Sequence, residues 1–263
     1  MAMQSDFLRA KTERRKLSLL TCYDYTFARL LSRTAIDGIL VGDSAAMVMQ
    51  GYANTISATL DLIRLHTEAV ARGAPEKFII ADMPFLSYRK GIAAALDAAQ
   101  VLLAAGAHAV KVEGVEGHED AIQRLVQSGI PVMGHLGLQP QSVRAYGGFR
   151  VQGRTQESAD DICRRARSLE QLGAFSIVLE CIPANLAREI TCALGIPTIG
   201  IGAGVGCDGQ ILVLQDLLGL DPSFRPKFAR PFLDGATRVV DAVARFDQAV
   251  KAGTFPAAEE SYA

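Results

Sequence analysis

Short apolar runs, each ending in a polar residue, alternate along the chain with longer stretches whose apolar residues recur at three- and four-residue spacing. The runs fall at 17–21, 38–41, 78–81, 109–113, 131–134, 176–179, 197–201 and 211–214, and their lengths and Val/Ile/Leu content predict buried strands. Helical spacing follows most of them. Phe27, Leu30 and Leu31 place a helix over 26–35, and others are expected at 60–72, 92–105, 118–128, 158–172 and 184–194. Gly106, Gly129 and Gly173 stand just behind three of these stretches, where helices commonly end in a left-handed residue. The gap from 201 to 211 is too short for a full helix, so the seventh is expected to be vestigial or absent. A last amphipathic stretch covers 238–251.

Eight short strands alternating with helices over about 250 residues predict an α/β chain folded as a (β/α)8 TIM-type barrel. No low-complexity linker or block of charge divides the sequence, so residues 1–263 are expected to form a single domain. A short N-terminal segment over about 1–16 and the C-terminal helix at 238–251 flank the barrel. The alternative is a doubly wound open sheet, which calls for a Gly-rich fingerprint after the first strand. Cys22-Tyr23-Asp24-Tyr25 stands there instead.

The polar residues sharpen the barrel reading, because such barrels build their sites from the C-terminal ends of several strands. Asp43, Asp82, Glu113, His135 and Glu180 each end a different predicted strand, whose interiors are almost wholly apolar apart from Lys111. Lys111 and Glu113 lie two apart in one strand and therefore share a face, roughly 6 to 7 Å apart. A buried ion pair alone is a poor stabiliser, since desolvation offsets the attraction, so this pair calls for a metal or an ionised ligand. The alternative is a strand end fraying into solvent. Each acid also has a structural alternative: an Asx turn for Asp43, a loop cap for Asp82, an outer arginine for Glu180.

Four carboxylates converging on one mouth repel one another unless a cation sits among them, and a carboxylate-and-water site suits Mg2+. His135 is the one central histidine, too few nitrogen ligands for a zinc centre. Mg2+ among acids, with a lysine beside it and a spare glutamate, suits an α-keto acid. The metal chelates the keto and carboxylate oxygens and stabilises the enolate formed when the adjacent carbon loses a proton, and the reaction class implied is carbon–carbon bond formation or cleavage. The glycines of residues 200–206, G-I-G-A-G-V-G, resemble a phosphate cradle without its Gly-Lys-Ser end, and tight turns would produce the same pattern.

Charge and cysteines narrow the partners. Lys and Arg total 27 against 28 Asp and Glu, a net charge of −1, so no whole-chain field draws nucleic acid or a membrane surface, and a small molecule is the expected partner. The five cysteines, at 22, 163, 181, 192 and 207, match neither a disulfide framework nor a C-x-x-C spacing and read as reduced thiols. The first 16 residues lack the apolar core of a signal peptide, and no run is long enough to span a bilayer. The expected location is the cytoplasm.

Several long motifs, in order over nearly the whole chain, resemble the ketopantoate hydroxymethyltransferase family. They are T-C-Y-D-Y-T at 21–26, I-L-V-G-D-S at 39–44, A-D-M-P-F at 81–85, A-V-K-V-E-G at 109–114, V-M-G-H-L-G-L-Q-P-Q-S at 132–142, G-G-F-R-V-Q-G-R at 147–154, L-E-C-I-P at 179–183 and I-P-T-I-G-I-G-A-G at 196–204, with C-D-G-Q at 207–210. The resemblance implies transfer of a one-carbon unit from 5,10-methylenetetrahydrofolate to 3-methyl-2-oxobutanoate, giving 2-dehydropantoate, in a Mg2+-dependent barrel that assembles as a homo-oligomer, commonly a decamer. By position it implies that Asp43 and Asp82 bind Mg2+ and that Glu113 holds it through water. Asp43, Ser44 and Asp82 contact the keto acid, Lys111 binds its carboxylate, and Glu180 accepts the proton, with His135 the next candidate base. Departures from the pattern lie in loops, at Asn54, Ser57 and Val115. Two other readings stand beside this one: a Mg2+-dependent carbon–carbon lyase without folate, and a non-catalytic barrel serving assembly. A lyase of the isocitrate lyase kind would carry a K-K-C-G-H loop, which does not occur in this sequence.

Overall fold

In a computed structural model, which describes residues 3–223 and 226–262, eight parallel strands close into a barrel in chain order. They are β1 (Leu17–Thr21), β2 (Gly38–Val41), β3 (Phe78–Asp82), β4 (Ala109–Glu113), β5 (Val132–Gly137), β6 (Ser176–Glu180), β7 (Thr198–Ile201) and β8 (Gly209–Leu212). Strands β2, β3, β4, β5 and β7 are buried at every position, as expected when helices cover a parallel barrel outside and side chains fill it inside. The open-sheet alternative is thereby excluded.

The described chain falls into two compact units, Met1–Val213, which holds the barrel, and Leu214–Ala263. In the second, the helix Gly235–Lys251 starts three residues before the expected 238 and leaves Val239, Val240, Val243 and Phe246 exposed.

Register places the polar strand ends beside one another. Asp82 pairs with Lys111, Glu113 with His135, and Gly137 with Glu180, and partners in a parallel ladder point to the same face. Glycines make two close approaches in this region possible. A Cβ on Gly137, whose φ is +93°, would lie 2.2 Å from the Glu180 carbonyl oxygen, and one on Gly42 would meet Ser44 Oγ at 2.8 Å and Asp82 Oδ2 at 3.4 Å.

Strands β5 and β8 depart from their expected bounds. Strand β5 runs to Gly137 rather than stopping at 134, so His135 lies inside the strand; apolar patterning cannot register Gly134 and Gly137 as strand residues. Strand β8 begins at Gly209, two residues before the expected 211, for the same reason: Gly209 packs its bare Cα against Leu17, where a Cβ would lie 2.7 Å from the Leu17 carbonyl. The polar N-terminal segment contains a helix, Gln4–Thr12, whose one aromatic residue, Phe7, is buried against Phe78 and Phe175 with ring centroids 5.3 and 5.5 Å away. Residues 202–208 between β7 and β8 hold no helix, as the short gap predicts. The long segment 136–154 contains the 3-10 turn Pro140–Ser142 and the short helix Val143–Tyr146.

Candidate active site

At the C-terminal mouth of the barrel the predicted residues converge. Lys111 and Glu113 are 4% and 1% exposed, which removes the solvent-frayed alternative. They share a face as expected, but the lysine's ion contact is with the next strand: Lys111 Nζ lies 2.7 Å from Asp82 Oδ1. The other Asp82 oxygen accepts the backbone N–H of Asp43 at 2.9 Å, tying β3 to the turn after β2. Glu113 faces His135, with Oε1 3.3 Å from Nδ1, and the far side of the imidazole reaches Glu180, with Nε2 3.1 Å from Oε2. Ser44 Oγ is 2.7 Å from the hydroxyl of buried Tyr23. All seven predicted residues, Asp43, Ser44, Asp82, Lys111, Glu113, His135 and Glu180, are thus joined in one region, and Glu180 meets His135 rather than an outer arginine.

The electrostatics follow from burial and crowding. Burial pushes the Asp43 carboxyl well above the usual range, and the charges of Asp82 and Glu113 add to this. Asp82 is also raised by burial, with Lys111 pulling the other way. Burial would raise Glu113 too, but the hydrogen bond and charge of His135, helped by Lys111, more than offset it, and its pKa is lowered. Lys111 would lose its proton to burial, yet Asp82, Glu113 and Asp43 hold it firmly protonated. His135, though buried and next to Lys111, is raised to about 9 by its bonds to Glu113 and Glu180. Lys111 Nζ and Glu113 Oε1 both lie 3.3 Å from Nδ1. The shorter contact of the lysine is with Asp82, 2.7 Å away, and the imidazole lies between the two glutamates.

Residues that the strand-end pattern missed complete the region. Gln141, 3% exposed, donates its backbone N–H to Glu113 Oε2 at 3.0 Å and its side-chain amide to Asp43 Oδ2 at 2.9 Å. Tyr88 brackets the Glu113 backbone, its hydroxyl 3.0 Å from N and 2.9 Å from O, and Arg89 Nη2 donates to the same carbonyl at 2.8 Å. The sequence signals for Gln141 were the length of segment 136–154 and its place in the family-like stretch at 132–142. Glycines 204 and 206 serve packing: added Cβ atoms would lie 2.5 Å from Ala184 Cβ and 2.9 Å from Arg188 Cβ, so these two residues let the β7–β8 turn approach the helix Ala184–Ala193. That accounts for them without a phosphate.

A model of the family described as ketopantoate hydroxymethyltransferase matches residues 2–258. The chain belongs to that family. It is 53% identical to the 3-methyl-2-oxobutanoate hydroxymethyltransferase of Bdellovibrio bacteriovorus over 98% of each chain, and 52% identical to that of Francisella tularensis subsp. novicida over 97% of each. Among solved structures, a phosphonopyruvate hydrolase shares the fold with a TM-score of 0.64 at 12% identity, covering 99% of this chain and 93% of the other. Likeness at that identity speaks to architecture alone.

The family resemblance implies a metal, and the donor set can be tested for it. Among the described residues no three histidine, cysteine or acidic side chains already form a cage; Asp82 is turned toward Lys111 and Glu113 toward His135. The donors suit Mg2+ all the same. They are carboxylate oxygens, two of which, Asp82 Oδ1 and Glu113 Oε1, are buried without a well-aligned hydrogen bond despite their nearby cations. Three buried acids crowd one lysine, and the proton affinity this forces on Asp43 is what a divalent cation would relieve.

Proposed function

We infer that this chain is a 3-methyl-2-oxobutanoate hydroxymethyltransferase, catalysing the first step of pantothenate synthesis, and that 5,10-methylenetetrahydrofolate supplies the one-carbon unit. The activity rests on family membership across nearly the whole chain. The single structural observation that supports its chemistry is the buried set joining Asp43, Asp82 and Lys111 to Glu113, His135 and Glu180.

In this reading Asp43 and Asp82 would hold Mg2+, and Glu113 would support it through water. When bound, the ion supplies Lewis-acid polarisation of the keto acid. Lys111, kept protonated by its acidic neighbours, binds the substrate carboxylate. Ser44, oriented by Tyr23, and the two aspartates hold the keto end. Glu180 removes the proton from C3; water takes the folate methylene carbon from its two nitrogens as formaldehyde, releasing tetrahydrofolate, and the C3 carbanion adds to that carbon, whose oxygen takes up a proton to complete the hydroxymethyl group. His135, bridging Glu113 and Glu180, fixes the base in place. The lyase alternative needs no folate, and family membership argues against it.

Two finer assignments complete the reading. Five free cysteines are compatible with the reducing cytoplasm, and among the described residues no helix is long and apolar enough to cross a membrane. Self-association, a decamer by the family resemblance, is supported by the exposed apolar residues of the helix Gly235–Lys251, a face of the kind that partners cover. The experiment for the activity is direct. Purified protein, Mg2+, 3-methyl-2-oxobutanoate and 5,10-methylenetetrahydrofolate should yield 2-dehydropantoate by mass detection, dependent on both substrates. No product with folate, or carbon–carbon cleavage without it, would overturn the assignment.

A further inference from the structure

The residue that joins the two halves of the acidic cluster comes from outside the strand ends. Gln141 sits in the segment after β5, in the 3-10 turn Pro140–Ser142, where Pro140 fixes the backbone one residue earlier. Its backbone N–H holds Glu113 Oε2 at 3.0 Å and its amide nitrogen holds Asp43 Oδ2 at 2.9 Å, while the same nitrogen donates to the Met83 carbonyl at 3.1 Å. Both amide protons are therefore used. The amide oxygen is 3.3 Å from the Tyr88 hydroxyl, which is itself bound to the Glu113 backbone. One buried residue thus touches the turn after β2, the turn after β3 and the end of β4.

The chemistry of the donor matters as much as its position. Among the described residues, the Asp43 carboxylate receives one hydrogen bond, from this neutral amide. A lysine or arginine there would orient the carboxylate and also cancel its charge. An amide fixes one oxygen and leaves the negative charge in place for a cation, which is how groups behind a metal ligand commonly work.

We propose that Gln141 is a positioning residue that sets the separation and orientation of Asp43 and Glu113 for the divalent cation, acting through Asp43 rather than touching the substrate. This rests on the reading of Asp43 as a metal ligand, so the test must separate the two.

Mn2+, an oxygen-seeking substitute for Mg2+, is titrated into the purified protein, and the free ion is followed by its paramagnetic resonance signal. The proteins compared are wild type, Gln141→Met, Gln141→Asn, Asp43→Asn and the Asp43→Asn/Gln141→Met double variant. Met keeps the length and removes the amide; Asn keeps the amide but is one methylene too short to reach Asp43, and it carries the test if the Met protein does not fold. Either change is expected to weaken Mn2+ binding about 10- to 100-fold. The double variant should bind within about threefold of Asp43→Asn alone, because a residue acting through Asp43 has nothing left to orient. A general packing defect would not give that non-additivity. Wild-type affinity in the Gln141 variants with a weakened Asp43→Asn protein would overturn the role of Gln141 and leave the metal assignment standing. Losses that multiply in the double variant would also overturn it, since Gln141 would then act independently of Asp43. Wild-type affinity in Asp43→Asn would overturn the metal assignment itself, and with it any route through Asp43.

Discussion

Replacing Lys111 with methionine keeps the volume and deletes the lysine that faces Asp82, Asp43 and Glu113. Breaking a buried pair by removing one partner costs about 3–5 kcal/mol when the other stays charged. At about 2–4 °C per kcal/mol for a chain of this size, the melting midpoint should fall by roughly 6–20 °C at a pH where the acids are ionised. The acids have an escape, which gives the prediction its signature. Asp43 and Asp82 already have folded pKa values raised above the ordinary 3.8. A raised carboxyl binds its proton more tightly when folded, so its favourable contribution is complete below the unfolded value and is lost as pH rises through the folded one. Without Lys111 both are raised further, and the loss extends to higher pH. The deficit against wild type should therefore be small at pH 5 and large at pH 8. Mg2+ should raise the midpoint of the variant more than that of wild type, because the ion replaces the missing positive charge. Scanning calorimetry at the two pH values, with and without Mg2+, measures all of this. A deficit independent of both pH and Mg2+ would show that Lys111 contributes packing alone. Calorimetric titration of the keto acid into the same variant should show binding impaired much more than that of the folate.

Three further outcomes follow from the geometry. Cys181 holds a left-handed φ of +48° next to Glu180, so Cys181→Gly should keep or raise the melting midpoint while Cys181→Val costs about 1–3 kcal/mol and lowers it; equal midpoints would dispute the strain. Burial and the charge of Glu180 push that thiol to about 12, so iodoacetamide at pH 8 should leave Cys181 unmodified, as peptide mass mapping would report. Phe246→Glu in the exposed face of the helix Gly235–Lys251 should shift the sedimenting species to smaller assemblies; an unchanged distribution would remove that helix from the interface.

How far the sequence carried the reading depends on what kind of signal each feature leaves. Strands β1, β2 and β4 were legible to the residue because their apolar runs end abruptly at a polar residue or a glycine. The polar strand ends of β2, β3, β4 and β6 marked the site for the same reason. His135 was placed at a strand end but lies within β5, since Gly134 and Gly137 carry no apolar side chain to extend the run. Lys111 and Glu113 were correctly put on one face, yet along-strand spacing cannot supply cross-strand register, and it is register that gives Lys111 to Asp82 and Glu113 to His135. Gln141 left no periodic trace at all: it reaches Asp43 from 98 positions away, through a turn whose geometry only the closed barrel fixes. The helix Gln4–Thr12 was hidden by its polarity, its docking carried largely by Phe7.

In the proposed mechanism Glu180 takes the C3 proton of the keto acid in a step separable from one-carbon transfer. Wild-type protein in heavy water with Mg2+ and 3-methyl-2-oxobutanoate, and no folate, should exchange that hydrogen for deuterium, seen as loss of the C3 proton resonance over time. Glu180→Gln preserves the shape and removes the acceptor. A positioned base contributes about 10² to 10⁴ in rate, so exchange should slow by that order while calorimetric binding of the keto acid stays near wild type. Exchange at the wild-type rate in the Gln protein would contradict the account and move the base to His135, 3.1 Å away.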